Sequence, residues 1–575
     1  MSNAKDAKEC DWKPRDGKTI TFTSFKIKFP KVLESLKKLN VTKSVNSIPN
    51  YLLKNCADTI APSLTKLHKY IVDRAKYPSF WKIGRITPLH KRKEVSKAKN
   101  YRPVTVVPNE DMAFENTICE QLYDWLAAFT PDSQFGFLKG CGTQDYGALM
   151  ALKVMDILER RNEAIIISLD VDGAFDRMWH EGLLHKMEKR GMRGRALKLA
   201  KDYLRDRFIQ VVVGMIRSAL KRIFSGVPQG GKFSQNLWDF DISTLDELDI
   251  DGLIAYADDC GLLYEVTAEN RDTIIDEINS NLQSLAEWGI QWHATFACDK
   301  TEGCLISRKK VPFDVSQLRF QGEKIEFVKE IKMAGFIFDE KMTMGPMVKK
   351  SSKKGRAKIA ALFRLRPYLD SANLELMYKA FVRSAMEYGN LEYMIAAPST
   401  LQKLDRVQAA AEKLGGFKVE SLEARRDASL VGLLFKLLDG KGRGQLNNFK
   451  PEVIEMDPKK ICRNTLTGLQ IVDKTNSKSL MSYERSIVGR APAVWKKLPQ
   501  DVLRSGKENN WQSITKECQR FLTGKQAKKE KNTTKATKQW KQDDSHAEYY
   551  SMAEIQGFKN YNNSDDILNK STITT

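Results

Sequence analysis

Apolar positions recur along the chain in blocks of changing period. From Val32 to Leu39 they fall at helical spacing, and residues 1–60 otherwise mix charge with short apolar runs, which predicts a helical N-terminal extension. Two β-like runs follow, Gly84-Arg85-Ile86-Thr87-Pro88-Leu89 and Pro103-Val104-Thr105-Val106-Val107-Pro108. The loop from Lys91 to Asn100 between them is basic, so the pair reads as an antiparallel hairpin with a charged tip. A helical pattern from Ala148 to Arg160 leads into Ala164-Ile165-Ile166-Ile167-Ser168-Leu169, a β-rich run that stops at Asp170. That carboxylate is expected at the end of a buried strand.

Ile254-Ala255-Tyr256-Ala257 also runs into acids, Asp258 and Asp259, and Gly261-Leu262-Leu263-Tyr264 continues beyond them, the outline of a tight hairpin with carboxylates at its turn. The stretch from Asn270 to Trp288 is helical, and Met347 to Leu414 reads as several helices with basic faces that include Lys349, Lys350, Lys353, Lys354, Arg356 and Lys358. After Leu522 the chain becomes polar and lysine-rich, the composition of a disordered tail. No repeat of solenoid length occurs.

Composition narrows the class. The 575 residues, 42% hydrophobic, are enough for several cores, far more than a small binding module. Lys plus Arg number 94 against 72 Asp plus Glu, a net charge of +22, which favours a polyanionic partner over a neutral metabolite. The nine cysteines are scattered without a Cys-x-x-Cys pair, and no histidine stands at zinc-finger spacing from two of them. No run of about twenty apolar residues exists, so neither a membrane span nor a secretory leader is expected, and the chain reads as intracellular.

Acids at the ends of two strand-like runs fit hard-cation chemistry. Phosphoryl transfer by in-line displacement needs two cations about 3.5–4 Å apart, and Mg²⁺ selects carboxylates over thiols or imidazoles. Taken alone, Asp258-Asp259 reads equally well as a pair of turn residues and Asp170 as a helix cap. Their order and company decide between the readings: Asp170-Val171-Asp172-Gly173-Ala174-Phe175-Asp176, then Gly226-Val227-Pro228-Gln229-Gly230, then Tyr256-Ala257-Asp258-Asp259.

These three segments resemble motifs A, B and C of reverse transcriptases. Asn100-Tyr101-Arg102-Pro103-Val104 resembles the fingers motif of the non-LTR, LINE-like and jockey-like branch. Phe80-Trp81-Lys82, Ser133-Gln134-Phe135-Gly136-Phe137 and Cys298-Asp299-Lys300-Thr301 are similar to further family segments, as are Arg425-Arg426 and the stretch from Arg485 to Trp495. The resemblance implies an α+β right-hand polymerase: an N-terminal extension over 1–75, fingers over 76–165, a palm over 166–340, a helical thumb over 345–440, an α-rich C-terminal region over 441–522 and the tail over 523–575.

It also implies roles. Asp170, Asp258 and the Val171 carbonyl match metal ligands, with Asp259 the supporting acid, for two Mg²⁺ ions that Mn²⁺ can replace. Arg102 matches the residue that grips the incoming triphosphate, Phe175 the ring that excludes a ribose 2′-hydroxyl, and Gln229 the residue beneath the nucleotide. Gly230, with Gly226 and Gly231, would let the template–primer approach closely, and Lys300 would protonate pyrophosphate.

The implied partners are an RNA template, a DNA primer or RNA–DNA hybrid, and dNTPs, met in nucleus and cytoplasm as a ribonucleoprotein. No endonuclease-like segment stands ahead of the fingers, so nicking is expected from elsewhere. Motif B departs from the family pattern, with Gly231-Lys232-Phe233-Ser234-Gln235 where a small or hydroxyl residue and a later proline are usual. Two alternatives stay open: a catalytically silent RNA-binding remnant, and an RNA-directed RNA polymerase, for which Asp176 would have to replace Phe175 in the alignment.

Overall fold

The computed structural model describes residues 20–41, 48–91, 94–455, 469–473, 475 and 479–524. The tail expected over 523–575 lies outside the described residues from 525 onward, as do Arg92 and Lys93 of the basic loop. The hairpin before it forms as its pattern predicts, with β1 (Ile83–His90) antiparallel to β2 (Tyr101–Val106). Asn100 organises its tip: the side-chain amide donates to the Glu94 carbonyl at 2.7 Å, and the Tyr101 hydroxyl donates to that of Val95 at 3.0 Å. While β3 (Glu163–Asp170) belongs to a second sheet, β4 (Arg207–Val213) runs parallel to β1 and carries β5 (Ile216–Arg217) and β6 (Lys221–Ile223) antiparallel.

The second sheet adds β7 (Leu253–Tyr256), β8 (Asp259–Val266), β9 (Glu302–Ile306) and the short strand Glu326–Phe327. Its order is Glu326–Phe327, β9, β3, β8, β7, so β3 lies at the centre. Ala164 and Ile166 join the core on one face, and Ile165, Ile167 and Leu169 that on the other. A strand covered on both faces needs apolar residues at nearly every position, which is why this run shows no alternation. Truncating any of the three buried isoleucines would cost about 2–5 kcal/mol.

Helices cover this sheet, and their ends follow local chemistry more than periodicity. Thr143–Glu159 starts ahead of the apolar pattern because the Asp145 side chain accepts from the Gly142 N–H at 2.8 Å, completing a cap. Ile274–Trp292 runs beyond Trp288 until His293 turns left-handed at φ 56°. The basic helical stretch resolves into Gly345–Leu365, Pro398–Gly415 and shorter turns between them. Among the described residues no helix is long and apolar enough to cross a membrane.

One buried acid is held against the sense of its usual ionisation. Glu392 is completely buried, and neither carboxylate oxygen has a hydrogen-bond partner elsewhere in the described residues. Gly147 makes the space, since a Cβ there would lie 2.5 Å from Glu392 Oε1. Burial, with Asp145 adding its negative charge, pushes the Glu392 carboxyl up to about 8 from 4.5. Between those two pH values the unfolded chain has released a proton that the folded chain keeps, so this group subtracts stability as pH rises. Glu392→Gln removes that loss: thermal melts should show the variant gaining on the wild type by more than about 1 kcal/mol between pH 5 and pH 8.

Candidate active site

Three acids meet at one end of the central sheet because of backbone register. Asp170, the last residue of β3, pairs directly with Asp259, the first residue of β8, and Asp259 pairs on its other side with Tyr256, the last residue of β7. Ala257 and Asp258 form the two-residue turn between β7 and β8, with Ala257 left-handed at φ 57°. Buried apolar ladders on either side leave the carboxylates no route away from the edge.

Their electrostatics are those of a cation site. Desolvation in the cleft raises the Asp258 carboxyl, the charge of Asp170 raises it further, and the Arg102 guanidinium opposes the rise. Asp259 is pushed up to about 6 by desolvation, then by Asp258 and Asp170, against the opposing hydrogen bond from the Ala334 N–H. The negative charges gathered here favour a positive charge at this edge.

In this structure Lys300 supplies that charge. Its ammonium lies 2.6 Å from Asp170 Oδ2 and 3.7 Å from Asp172 Oδ1, and the Asp170 bond raises its pKa. Asp172 also holds Arg177 at 2.9 Å. The backbone around Val171 is fixed by an antiparallel bridge to Phe296, flanked by the Ala297 N–H donating to the Asp170 carbonyl at 2.9 Å and the Asp172 N–H to that of Thr295 at 2.8 Å. Among the described residues no three His, Cys, Asp or Glu side chains are gathered tightly enough to hold an ion on their own. An all-oxygen donor set of two carboxylates and a main-chain carbonyl nonetheless fits Mg²⁺, which completes its octahedron with water and substrate phosphate.

Arg102 stands exposed on β2, facing this charge. Phe175 lies between Phe137, edge-on at 6.5 Å, and Trp238 at 5.6 Å, a partly open aromatic wall. The motif B loop is pinned by its own neighbours. The Gln229 carbonyl accepts from the Thr105 N–H at 2.9 Å, so the loop extends the edge of β2. A Cβ on Gly230, at φ 147°, would lie 2.4 Å from the Thr105 carbonyl oxygen, and one on Gly226, at φ 81°, 2.4 Å from that of Asp176. The close approach that these two glycines permit here is to the protein's own backbone.

Two supports of the acid turn carry no chemistry of their own, and sequence reasoning assigned them no role. Gln134 Oε1 accepts from the Ala257 N–H at 3.0 Å and from the Gly136 N–H at 2.7 Å, while the Ser133 carbonyl accepts from Ala255 and the Phe135 N–H donates back to it, both at 2.8 Å. Gly136 is required there, because a Cβ would meet the Ala257 nitrogen at 2.3 Å. On the other side the hairpin of Glu330–Met333 and Phe336–Asp339 brings Ala334 against Asp259, and the Tyr388 hydroxyl donates to the Ala334 carbonyl at 2.5 Å. Ser133-Gln134-Phe135-Gly136 was visible as a motif, but its purpose lay in a contact with a segment far along the chain.

The sequence profile of the family described as reverse transcriptase (RNA-dependent DNA polymerase) matches residues 89–338, the span that holds every one of these groups except Tyr388. Those residues are a reverse transcriptase domain. The chain is 25% identical over 378 residues to the RNA-directed DNA polymerase from mobile element jockey of Drosophila melanogaster, covering 63% of this chain and 40% of the relative. It is 24% identical to the probable RNA-directed DNA polymerase from transposon BS of the same fly, over 67% of this chain and 44% of the relative. The retrovirus-related Pol polyprotein from type-1 retrotransposable element R1 of Bradysia coprophila matches at 22% over 77% of this chain and 45% of its own. The chain thus spans less than half the length of these curated relatives. A solved structure of apo telomerase from Candida tropicalis, truncated from its C-terminal domain, aligns at 14% identity with a TM-score of 0.31, over 49% of this chain and 58% of that one.

In a reverse transcriptase domain a strained turn that carries an acid has to be held. Gln134→Ala would strand two buried N–H groups at a cost of about 1–3 kcal/mol each. Amide exchange of residues 255–259 should speed about tenfold or more in the variant, since Ala257 loses the acceptor that holds its left-handed conformation. Exchange equal to that of the wild type would show that Ala257 holds its conformation unaided.

Proposed function

We propose that this chain is an RNA-directed DNA polymerase that copies RNA into cDNA, as in non-LTR retrotransposition. The observation that carries the reading is the in-register pairing of Asp170 with Asp259 beside the Asp258 turn, within a domain that matches the reverse transcriptase family. The partition into fingers (76–165), palm (166–340), thumb (345–440) and C-terminal region (441–522) follows from the same reading. So do the RNA template, the DNA primer or RNA–DNA hybrid, the dNTPs, and residence in nucleus and cytoplasm.

Asp170, Asp258 and the Val171 carbonyl would hold two Mg²⁺ ions, with Mn²⁺ able to replace them, and these would neutralise charge on the attacking and leaving oxygens. Asp259, kept up to about 6 and bonded to the Ala334 N–H, steadies the turn that presents Asp258. Arg102 would grip the triphosphate through its planar fork of donors. Gln229, fixed through its own carbonyl on Thr105, would lie beneath the incoming base, and the Phe175 ring would close the space that a 2′-hydroxyl needs. Lys300 would give its proton to departing pyrophosphate from its position beside Asp170.

Primer extension on an RNA template, with dNTPs and rNTPs in parallel, tests the whole reading. The wild type should make DNA, Asp258→Asn should reduce synthesis by about a thousandfold or more while RNA binding and melting temperature persist, and Phe175→Val should raise ribonucleotide use. RNA product from the wild type would favour an RNA polymerase. Tight RNA binding without product would favour a silent remnant.

A further inference from the structure

The helix Lys232–Ile242 begins where the motif B loop ends, and its first amides have no partner within the helix. The helix Asn109–Leu126 supplies one. Glu115, completely buried, accepts from the Lys232 N–H through Oε2 at 2.7 Å, and the Phe233 N–H bonds the same carboxylate. Gly231 makes the approach possible, since a Cβ there would lie 3.0 and 3.2 Å from the two carboxylate oxygens. Burial pushes the Glu115 carboxyl up to about 7, and the amide bonds, then the charges of Arg207, 1% exposed, and Lys232, oppose that rise. The Tyr203 and Ser234 hydroxyls, 2.8 Å apart, tie the same helix to the residues ahead of β4.

Helix Asn109–Leu126 also follows β2 almost directly in the chain. One continuous segment therefore carries Arg102, binds the Gln229 carbonyl through Thr105, and caps the Lys232 amide through Glu115. The two anchors bracket Gly230 and Gly231. The unusual sequence Gly231-Lys232-Phe233 keeps this arrangement intact: the Lys232 side chain is exposed, and its backbone N–H makes the bond.

We infer that Glu115 is a positioning residue, which fixes the motif B loop to the segment bearing Arg102 so that Gln229 and Arg102 meet the incoming nucleotide in one relation. The inference rests on the polymerase reading above. It also gives a role to one of the two acids, Asp111 and Glu115, that are fully buried on this helix.

Three variants of the full chain separate positioning from bulk stability. Glu115→Leu removes both acceptor oxygens. Lys232→Pro leaves the Glu115 side chain in place but deletes the donated N–H at the first position of a helix, where proline is tolerated and the extended Gly231 (φ −82°, ψ 145°) suits it. Phe114→Leu, in the same helix, weakens the core alone. Steady-state primer extension and amide exchange of residues 226–231 are measured for each. Glu115→Leu and Lys232→Pro should each raise dNTP KM about tenfold with kcat within about twofold, the effect of leaving one buried hydrogen bond unmade. Both should speed exchange in 226–231, and the double variant should be no worse than either alone. Phe114→Leu should lower melting temperature and leave both readouts unchanged.

Wild-type KM and exchange in Glu115→Leu or Lys232→Pro, or equal shifts in Phe114→Leu, would overturn the inference. If the wild type extends no primer yet exchange rises only in the two motif B variants, the anchor stands and the polymerase reading falls. If the wild type extends primer and exchange is unmoved, the polymerase reading stands and the anchor falls.

Discussion

The backbone pairing of Asp170 with Asp259 across β3 and β8 fixes where every charge in the site can lie. A slip of one residue would part the two carboxylates and turn Ile165, Ile166 and Ile167 each to the opposite face, where each would have to repack in the other core. The cost of moving three buried isoleucines is what holds the acids together against their mutual repulsion. Packing thus supplies the free energy, and the site stores part of it as raised carboxyl pKa values at Asp258 and Asp259.

Around that fixed edge the remaining parts are held by contacts between distant segments. Gln134 and Gly136 press on the turn from one side, and Ala334 reaches Asp259 from the other. Lys300 occupies the Asp170 carboxylate, so the charge in the cleft is already partly balanced before any cation arrives. Arg102 contributes at longer range, where its field lowers the cost of ionising Asp258. A metal held here would join carboxylates whose charge Lys300 and Arg102 already partly offset, which would temper both the gain on binding and the penalty of the empty state.

Legibility in the sequence followed the range of the interaction. The β3 run and the β7–β8 hairpin were readable because an acid that ends an apolar strand is a local pattern, and the basic-tipped hairpin of β1 and β2 for the same reason. Helix starts were less readable: the cap made by Asp145 on Gly142 depends on one side chain, not on periodicity. Gly226 and Gly230 were recognisable as places of close approach, but what approaches them, the Asp176 and Thr105 carbonyls, is set by tertiary structure. Ala334 and Glu115 gave no signal, and Gln134 only as part of its motif, since Gln134 and Glu115 act on backbone amides of other segments and Ala334 through its own, and a backbone amide has no letter in the sequence.

The central claim is that the edge formed by Asp170, Asp258 and Val171 gathers two divalent cations around a nucleotide. The most direct measurement is anomalous scattering from crystals of the chain grown with Mn²⁺, an RNA template, a DNA primer and a non-hydrolysable dNTP. The account predicts two peaks about 3.5–4 Å apart, bounded by the Asp170 and Asp258 carboxylates, with the triphosphate reaching toward Arg102. A nucleotide bound elsewhere, or an ordered complex whose Mn²⁺ peaks lie away from these two aspartates, would contradict it.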